Sequence, residues 1–158
     1  MNPAALYYAM MGAQTLPMVS HRYYRLNVSA IVTSGYSCGI PELHLMATIG
    51  GSSVATGGTA SANSTYAGDP ASYAFDGSTS TLWYSNTTTG PFILEYDFGS
   101  GIAHKIVQYA IYSNGSSGLP YSWTLQSSDD NSTWTTLDIR NAVVMTSNAY
   151  NTFTVASP

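Results

Sequence analysis

From Tyr24 onward the sequence alternates between apolar and polar residues with a period of two, and this alternation constrains the fold more than any other feature. In the first run, Tyr24, Leu26 and Val28 fall on one face, and Arg25 and Asn27 fall on the other. Further runs of the same kind lie at 43–47, 92–98, 107–111, 123–127 and 153–155. Each run predicts a half-buried β-strand.

Turn-forming clusters separate these runs, at 57–58, 76–77, 114–118 and 129–131. No convincing helical period follows residue 21. Many short strands without helices predict an all-β antiparallel sandwich of the jelly-roll type. Residues 123–137 place a turn cluster between two strands that each carry a tryptophan, which predicts a β-hairpin.

The surface must be polar without being ionic, because charged residues make up only 8% of the 158-residue chain. With four Lys and Arg and a formal net charge of −4, the chain has no basic stripe that could neutralise a run of phosphates. Nucleic acid and anionic membranes are therefore not expected partners. The single cysteine, Cys38, excludes an internal disulfide.

The first 21 residues have a different pattern. Residues 2–12 carry the punctuation of a short helix, with Asn2 and Pro3 at the start and Gly12 at the exit. Their apolar side chains would face outward all round and need a partner surface. The segment has no basic n-region and its uncharged run is too short to cross a bilayer, so we predict neither a signal peptide nor a membrane anchor. We divide the chain into an assembly segment, residues 1–21, and a β-sandwich domain, residues 22–158.

Three motifs, taken together and in order, resemble the discoidin and galactose-binding-like domain family. Residues 74–83 read Ala-Phe-Asp-Gly-Ser-Thr-Ser-Thr-Leu-Trp, residues 91–99 read Pro-Phe-Ile-Leu-Glu-Tyr-Asp-Phe-Gly, and the hairpin at 123–137 follows. The resemblance covers about residues 22–155 and implies a galactose-binding-like jelly-roll. The family includes carbohydrate-binding modules of secreted enzymes and modules on bacteriophage tails and virions.

The order of the remaining segments departs from most members of this family. Residues 23–28 and 40–45 resemble the family's closing strands, yet they come first. The chain therefore resembles a circularly permuted module, and the termini of a sandwich tend to lie close together, which allows such a permutation. Permuted modules of this kind are typical of phage structural proteins, which favours a virion origin.

The resemblance also implies a calcium site in the loop around Asp76. Many family members hold calcium with an aspartate, the threonine before the tryptophan, backbone carbonyls and a glutamate of the closing strand. These positions fall on Asp76, Thr81 and Glu42, and calcium accepts roughly six to eight oxygen ligands. The alternative is that Asp76 and Gly77 form a simple tight turn and that Glu42 faces solvent. Glu42 and His44 share a strand face, but nothing supplies the further ligands that zinc requires.

Aromatic residues flanked by hydroxyl and amide groups are typical of sugar sites. We predict Tyr66, Trp83, Tyr84 and Asn86 as ligand-binding residues, with packing at the end of the barrel as the alternative for Trp83. No nucleophile elbow, phosphate loop or zinc signature is present in the sequence, and the acidic residues form no catalytic pair that sequence can identify. We therefore expect no enzymatic activity.

Two functions remain open on these grounds. The favoured one is a non-catalytic virion surface protein, a head decoration or tail component, whose residues 1–21 dock on other virion subunits or form a homo-oligomer while the module binds host or environmental glycans. The alternative is a free-standing lectin-like carbohydrate-binding protein. The outward-facing apolar segment and the absence of a recognisable export signal favour the virion protein.

Overall fold

A computed structural model describes residues 19–155. The segment 1–18, and with it the predicted helix at 2–12 and most of the predicted assembly segment, lies outside the described residues. Within 19–155 the chain forms ten strands and one short 3-10 helix, Ala71–Phe75. The strands are β1 Tyr23–Ile31, β2 Gly39–Ile40, β3 Leu43–Met46, β4 Thr59–Ala62, β5 Trp83–Tyr84, β6 Phe92–Asp97, β7 Gln108–Ser113, β8 Pro120–Ser128, β9 Thr135–Arg140 and β10 Ala149–Thr154. No helix in this range is long and apolar enough to cross a membrane.

The strands pair into antiparallel sheets. A five-stranded sheet has the order β4-β6-β1-β8-β9, a three-stranded sheet has the order β10-β7-β3, and β2 pairs with β5. We call the first two the large sheet and the small sheet. The predicted antiparallel β-sandwich is therefore confirmed, as is the hairpin, which is formed by β8 and β9.

The core lies between the two sheets, and the alternation that predicted the strands fills it. Tyr24, Leu26 and Val28 of β1 are at most 1% exposed, and they belong to one cluster with Tyr109 and Ile111 of β7. Burying aliphatic and aromatic side chains of this kind is the main favourable term in folding.

A chain of hydrogen bonds crosses this core. The indole N–H of Trp123 on β8 donates to the hydroxyl of Tyr109 on β7 at 2.8 Å. That hydroxyl donates to Asp138 Oδ2 on β9, also at 2.8 Å. Arg140 Nε donates to the same carboxylate oxygen at 2.7 Å. The small sheet is thereby bonded to two strands of the large sheet.

The two ends of the described chain meet at one segment of backbone. His21, just before β1, forms an antiparallel bridge with His104. Val155, just after β10, donates its N–H to the carbonyl of Val107 at 3.0 Å. Since residues 104 and 107 are at most about 11 Å apart along an extended backbone, the ends lie close together.

Candidate functional site

The loop that follows the 3-10 helix is closed by the side chain of Asp76. Asp76 Oδ1 accepts a hydrogen bond from the N–H of Ser78 at 2.8 Å, and Oδ2 accepts one from the hydroxyl of Thr81 at 2.8 Å. The Thr81 hydroxyl also lies 3.3 Å from the carbonyl oxygen of Ser78. Gly77 has a φ of +78°, which a residue with a side chain adopts only with strain.

Glu42 reaches this loop from the start of β3. Its Oε2 accepts a hydrogen bond from the N–H of Gly77 at 3.2 Å, across 35 positions of sequence. The residue is only 3% exposed, so it does not face solvent. Glu42, Asp76 and Thr81, which the family resemblance grouped together, are therefore close in the structure.

The electrostatics of Glu42 follow from that burial. Loss of hydration raises the pKa of Glu42, and the negative charge of Asp76 adds to this effect. His44, whose Nε2 lies 3.5 Å from Glu42 Oε1, opposes it. A cation bound at this loop would stabilise both carboxylates in their ionised form.

The donors at this loop are carboxylate, hydroxyl and carbonyl oxygens, which are the ligands calcium prefers. They fit a calcium ion better than zinc, because zinc sites are usually tetrahedral and built largely from Cys and His side chains. Within residues 19–155 no three His, Cys, Asp or Glu side chains are grouped so that they could hold a metal. Calcium here would therefore depend on two carboxylates together with backbone carbonyls.

A second cluster, the Tyr66–Tyr84 surface, consists of Tyr66, Asp69, Tyr84 and Asn86. Backbone hydrogen bonds hold it together: Tyr66 N–H donates to the Tyr84 carbonyl at 2.7 Å, and Tyr84 N–H donates to the Asp69 carbonyl at 3.3 Å. The two tyrosine rings meet edge to face with centroids 6.3 Å apart. Tyr66 is 51% exposed and Tyr84 is half-buried. Asn86, two residues after Tyr84, is exposed.

Neighbouring residues fix this surface in place. Ser64 contacts two residues of this region. The Ser64 hydroxyl accepts a hydrogen bond from the N–H of Asn86 at 2.9 Å, and the Ser64 carbonyl accepts one from the indole N–H of Trp83 at 3.1 Å. Gly39 lies so close to Tyr84 that a Cβ at position 39 would be 2.9 Å from the tyrosine Cδ2. The Tyr84 ring therefore packs directly over bare backbone.

Trp83 occupies a different place from the other predicted ligand-binding residues. It is 0% exposed and belongs to the hydrophobic core, with its one polar atom bonded to Ser64. A ring with no exposed face cannot stack on a sugar, so the prediction of Trp83 as a ligand contact gives way to the packing alternative. Tyr66, Tyr84 and Asn86 are brought together at the surface.

The sequence pattern gave no indication of two further features. One is Asp69, which lies in the same turn as Tyr66 but belongs to no recognisable motif. The other is a cavity of about 390 Å³ between the end of β1 and the loop that precedes β6. Its lining consists of hydroxyl-bearing and small residues with a few apolar side chains, including Ser29, Ser34, Thr88, Thr89 and Phe92.

The comparison with protein families agrees with this geometry. The F5/8 type C domain model matches residues 58–157, which is more than half of the chain. The chain belongs to this family, whose members are generally non-catalytic binding modules, and a discoidin-type domain indicates a carbohydrate-binding module. No curated protein and no solved structure matches the chain.

Proposed function

We propose that this domain is a carbohydrate-binding module that binds glycans at the Tyr66–Tyr84 surface. The observation that carries the proposal is a pair of tyrosine rings in edge-to-face contact, Tyr66 exposed and Tyr84 half-buried, on main chain held by hydrogen bonds in a domain of a binding-module family. Sugars pack their C–H faces on aromatic rings, and nearby polar groups fix their orientation. The amide of Asn86 and the carboxylate of Asp69 supply such groups.

The preformed shape of the surface supports this function. Tyr66 and Tyr84 are anchored through their main chains, so binding does not require the backbone of this surface to be ordered. The two rings meet at 80°, and the half-exposed Tyr66 ring is the one on which a sugar would stack.

The test is a glycan-array measurement on the native protein and on Tyr66→Ala and Tyr84→Ala. Tyr150→Ala is the matched control, because Tyr150 is 41% exposed but lies on β10 of the small sheet. We expect each variant of the proposed site to lose about tenfold or more in affinity, a loss equivalent to about 1.4 kcal/mol, and the control to bind normally. Absence of glycan binding by the native protein, or equal binding by all three variants, would refute the proposal.

We also propose that the Asp76 loop holds a structural calcium ion through Asp76, Thr81 and Glu42. The meeting of two carboxylates, one of them buried, with a hydroxyl oxygen supports it. Calcium should raise the melting temperature, and Asp76→Ala should remove that increase. Asp129→Asn, which changes an exposed carboxylate of the β8–β9 turn, is the control and should keep the response. A melting curve that calcium and chelator leave unchanged in the native protein would contradict the proposal.

We propose that the module is circularly permuted relative to its family. The family match begins at residue 58, just before β4, whereas β1, β2 and β3 precede it. These earlier strands complete both sheets: β1 pairs with β6 and β8, and β3 pairs with β7. The proximity of the two chain ends at 104–107 supports the same proposal.

A rearranged chain tests the permutation. Residues 58–155 would be followed by a short glycine-rich linker and residues 19–57, and their circular dichroism and denaturation curve would be compared with those of the native order. We expect the rearranged chain to fold cooperatively with the same β-sheet spectrum. A chain that stays unfolded would contradict the proposal.

We further propose that the protein is a virion component, a head decoration or tail protein from a bacteriophage, attached through residues 1–21. The support is sequence-based: this segment contains no Lys, Arg, Asp or Glu and combines paired tyrosines with paired methionines. Deleting residues 1–18 should leave a folded monomer in sedimentation analysis, whereas the whole chain should sediment as an oligomer or bind purified particles. A whole chain that is monomeric and binds no particle would instead favour the free-standing lectin-like alternative.

A further inference from the structure

We propose that the Tyr66–Tyr84 surface selects neutral glycans over acidic ones, and that the Asp69 carboxylate is the residue that sets this selectivity. The inference rests on the proposed glycan binding and adds to it the chemical class of the ligand.

Asp69 is held beside both tyrosines by its main chain. Its N–H donates to the Tyr66 carbonyl at 3.1 Å, and its own carbonyl accepts the N–H of Tyr84 at 3.3 Å. The residue as a whole is half-buried. The carboxylate of Asp69 forms no ion pair within residues 19–155, in contrast to Asp97, which is paired with Arg22.

The basic side chains of the protein are occupied or lie at the other end of the sandwich. Arg22 makes two 2.7 Å contacts with Asp97, and Arg140 is bonded to Asp138 and to a main-chain carbonyl. Arg25 packs on the Trp134 ring, with its guanidinium carbon 3.9 Å from the ring centroid.

Lys105, the fourth basic residue, follows His104, which is bridged to His21 just before β1 begins. Tyr66 instead lies in the loop after β4, and β4 ends at the opposite end of the large sheet. There Ala62 of β4 pairs with Leu94, and the next residues of β6 toward its start pair with Asn27 and Val28 of β1. No lysine or arginine is therefore contributed by the loops that form the Tyr66–Tyr84 surface.

This arrangement favours a ligand that donates hydrogen bonds and carries no negative charge. A carboxylate accepts hydrogen bonds from sugar hydroxyls, and such charge-assisted bonds are stronger than neutral ones. A sialic acid, a uronic acid or a sulfate group would place a second anion beside Asp69 with no cation to compensate it. The two positive charges of a calcium ion at the Asp76 loop would be balanced by the carboxylates of Asp76 and Glu42, so the charge of Asp69 would stay uncompensated.

The experiment compares one neutral oligosaccharide that binds the native protein with the same oligosaccharide carrying a terminal sialic acid or a sulfate. Calorimetric titrations would use the native protein, Asp69→Asn and, as control, Asp129→Asn. We expect the native protein to bind the neutral ligand about tenfold or more tightly than its acidic counterpart. Asp69→Asn should weaken neutral binding by about tenfold and reduce the neutral-to-acidic ratio to near unity, whereas Asp129→Asn should preserve the ratio.

The outcomes separate this inference from the proposal on which it rests. Neutral and acidic ligands bound equally well by the native protein, or a ratio that Asp69→Asn leaves unchanged, would overturn the selectivity but not glycan binding. Absence of binding to every glycan would overturn both. We expect Asp69→Asn to keep the melting temperature of the native protein, because the Asp69 carboxylate forms no ion pair within residues 19–155. A loss of affinity without a change in melting temperature would be local to the binding surface.

Discussion

The hydroxyl of Tyr109 connects the two sheets of the sandwich, and its removal tests how they are held together. Tyr109 is 0% exposed, and its hydroxyl both accepts the indole N–H of Trp123 and donates to the carboxylate of Asp138. Burial and the nearby Asp138 raise the pKa of Tyr109, so the phenol stays protonated and remains a donor.

Tyr109→Phe keeps the aromatic ring and removes only the oxygen atom. The buried indole N–H of Trp123 then has no acceptor, which costs about 1 to 3 kcal/mol. Asp138 also loses a hydrogen bond to a charged group, worth about 1.5 to 3 kcal/mol, but keeps its contact with Arg140. Because these terms share one atom and are not additive, we expect the free energy of unfolding to fall by about 3 kcal/mol.

Urea denaturation at equilibrium measures this change. The midpoint should fall with an unchanged m-value, since the surface exposed on unfolding is the same. Tyr121→Phe is the matched control, because Tyr121 is half-exposed, and it should change the free energy of unfolding by less than about 0.5 kcal/mol. A loss below about 1 kcal/mol for Tyr109→Phe would refute the role assigned to the hydroxyl.

Three further predictions concern stability. Gly58→Ala should lower the melting temperature clearly, because the added Cβ would clash with the Asp97 carbonyl oxygen, which is backbone and cannot swing away; a melting curve like that of the native protein would contradict the contact. Trp83→Ala should cost about 3 to 5 kcal/mol in urea denaturation, as expected for a core residue and not for a ligand contact, which would cost almost nothing. Burial raises the pKa of Glu42 above its ordinary value of about 4.5, so protonation of Glu42 favours the folded state. The measurement is the free energy of unfolding of the native protein minus that of Glu42→Gln, in calcium-free buffer. This difference should be highest below about pH 4.5 and should fall as the pH rises through the pKa of Glu42 in the folded protein. A difference that does not change with pH would contradict this linkage.

The long strands could be predicted from the sequence because their burial follows their alternation. Tyr24, Leu26 and Val28 point inward and Arg25 points outward, as a period of two requires. The short strands could not be predicted in this way. β2 and β5 have two residues each, too few to show any period, and their existence depends on pairing with each other across the fold.

The site, like the short strands, depends on contacts between distant segments, and this restricts what the sequence alone could predict of it. The family resemblance placed Glu42 with the Asp76 loop, but only the fold shows that Glu42 is buried there. Trp83 lies in a two-residue strand, so no alternation indicates which way its ring points. Asp69 has no motif around it, and its position beside Tyr84 comes from backbone hydrogen bonds between distant turns.

Amide chemical-shift mapping is the most direct test of glycan binding at the Tyr66–Tyr84 surface. The isotope-labelled protein would be titrated with a neutral oligosaccharide selected on the glycan array. The largest shifts should fall on residues 64–69 and 84–86, with little change at the opposite end of the sandwich around His21, His104 and Asp129. Shifts centred on that opposite end, or on the cavity beside Thr88 and Thr89, would contradict the site proposed here.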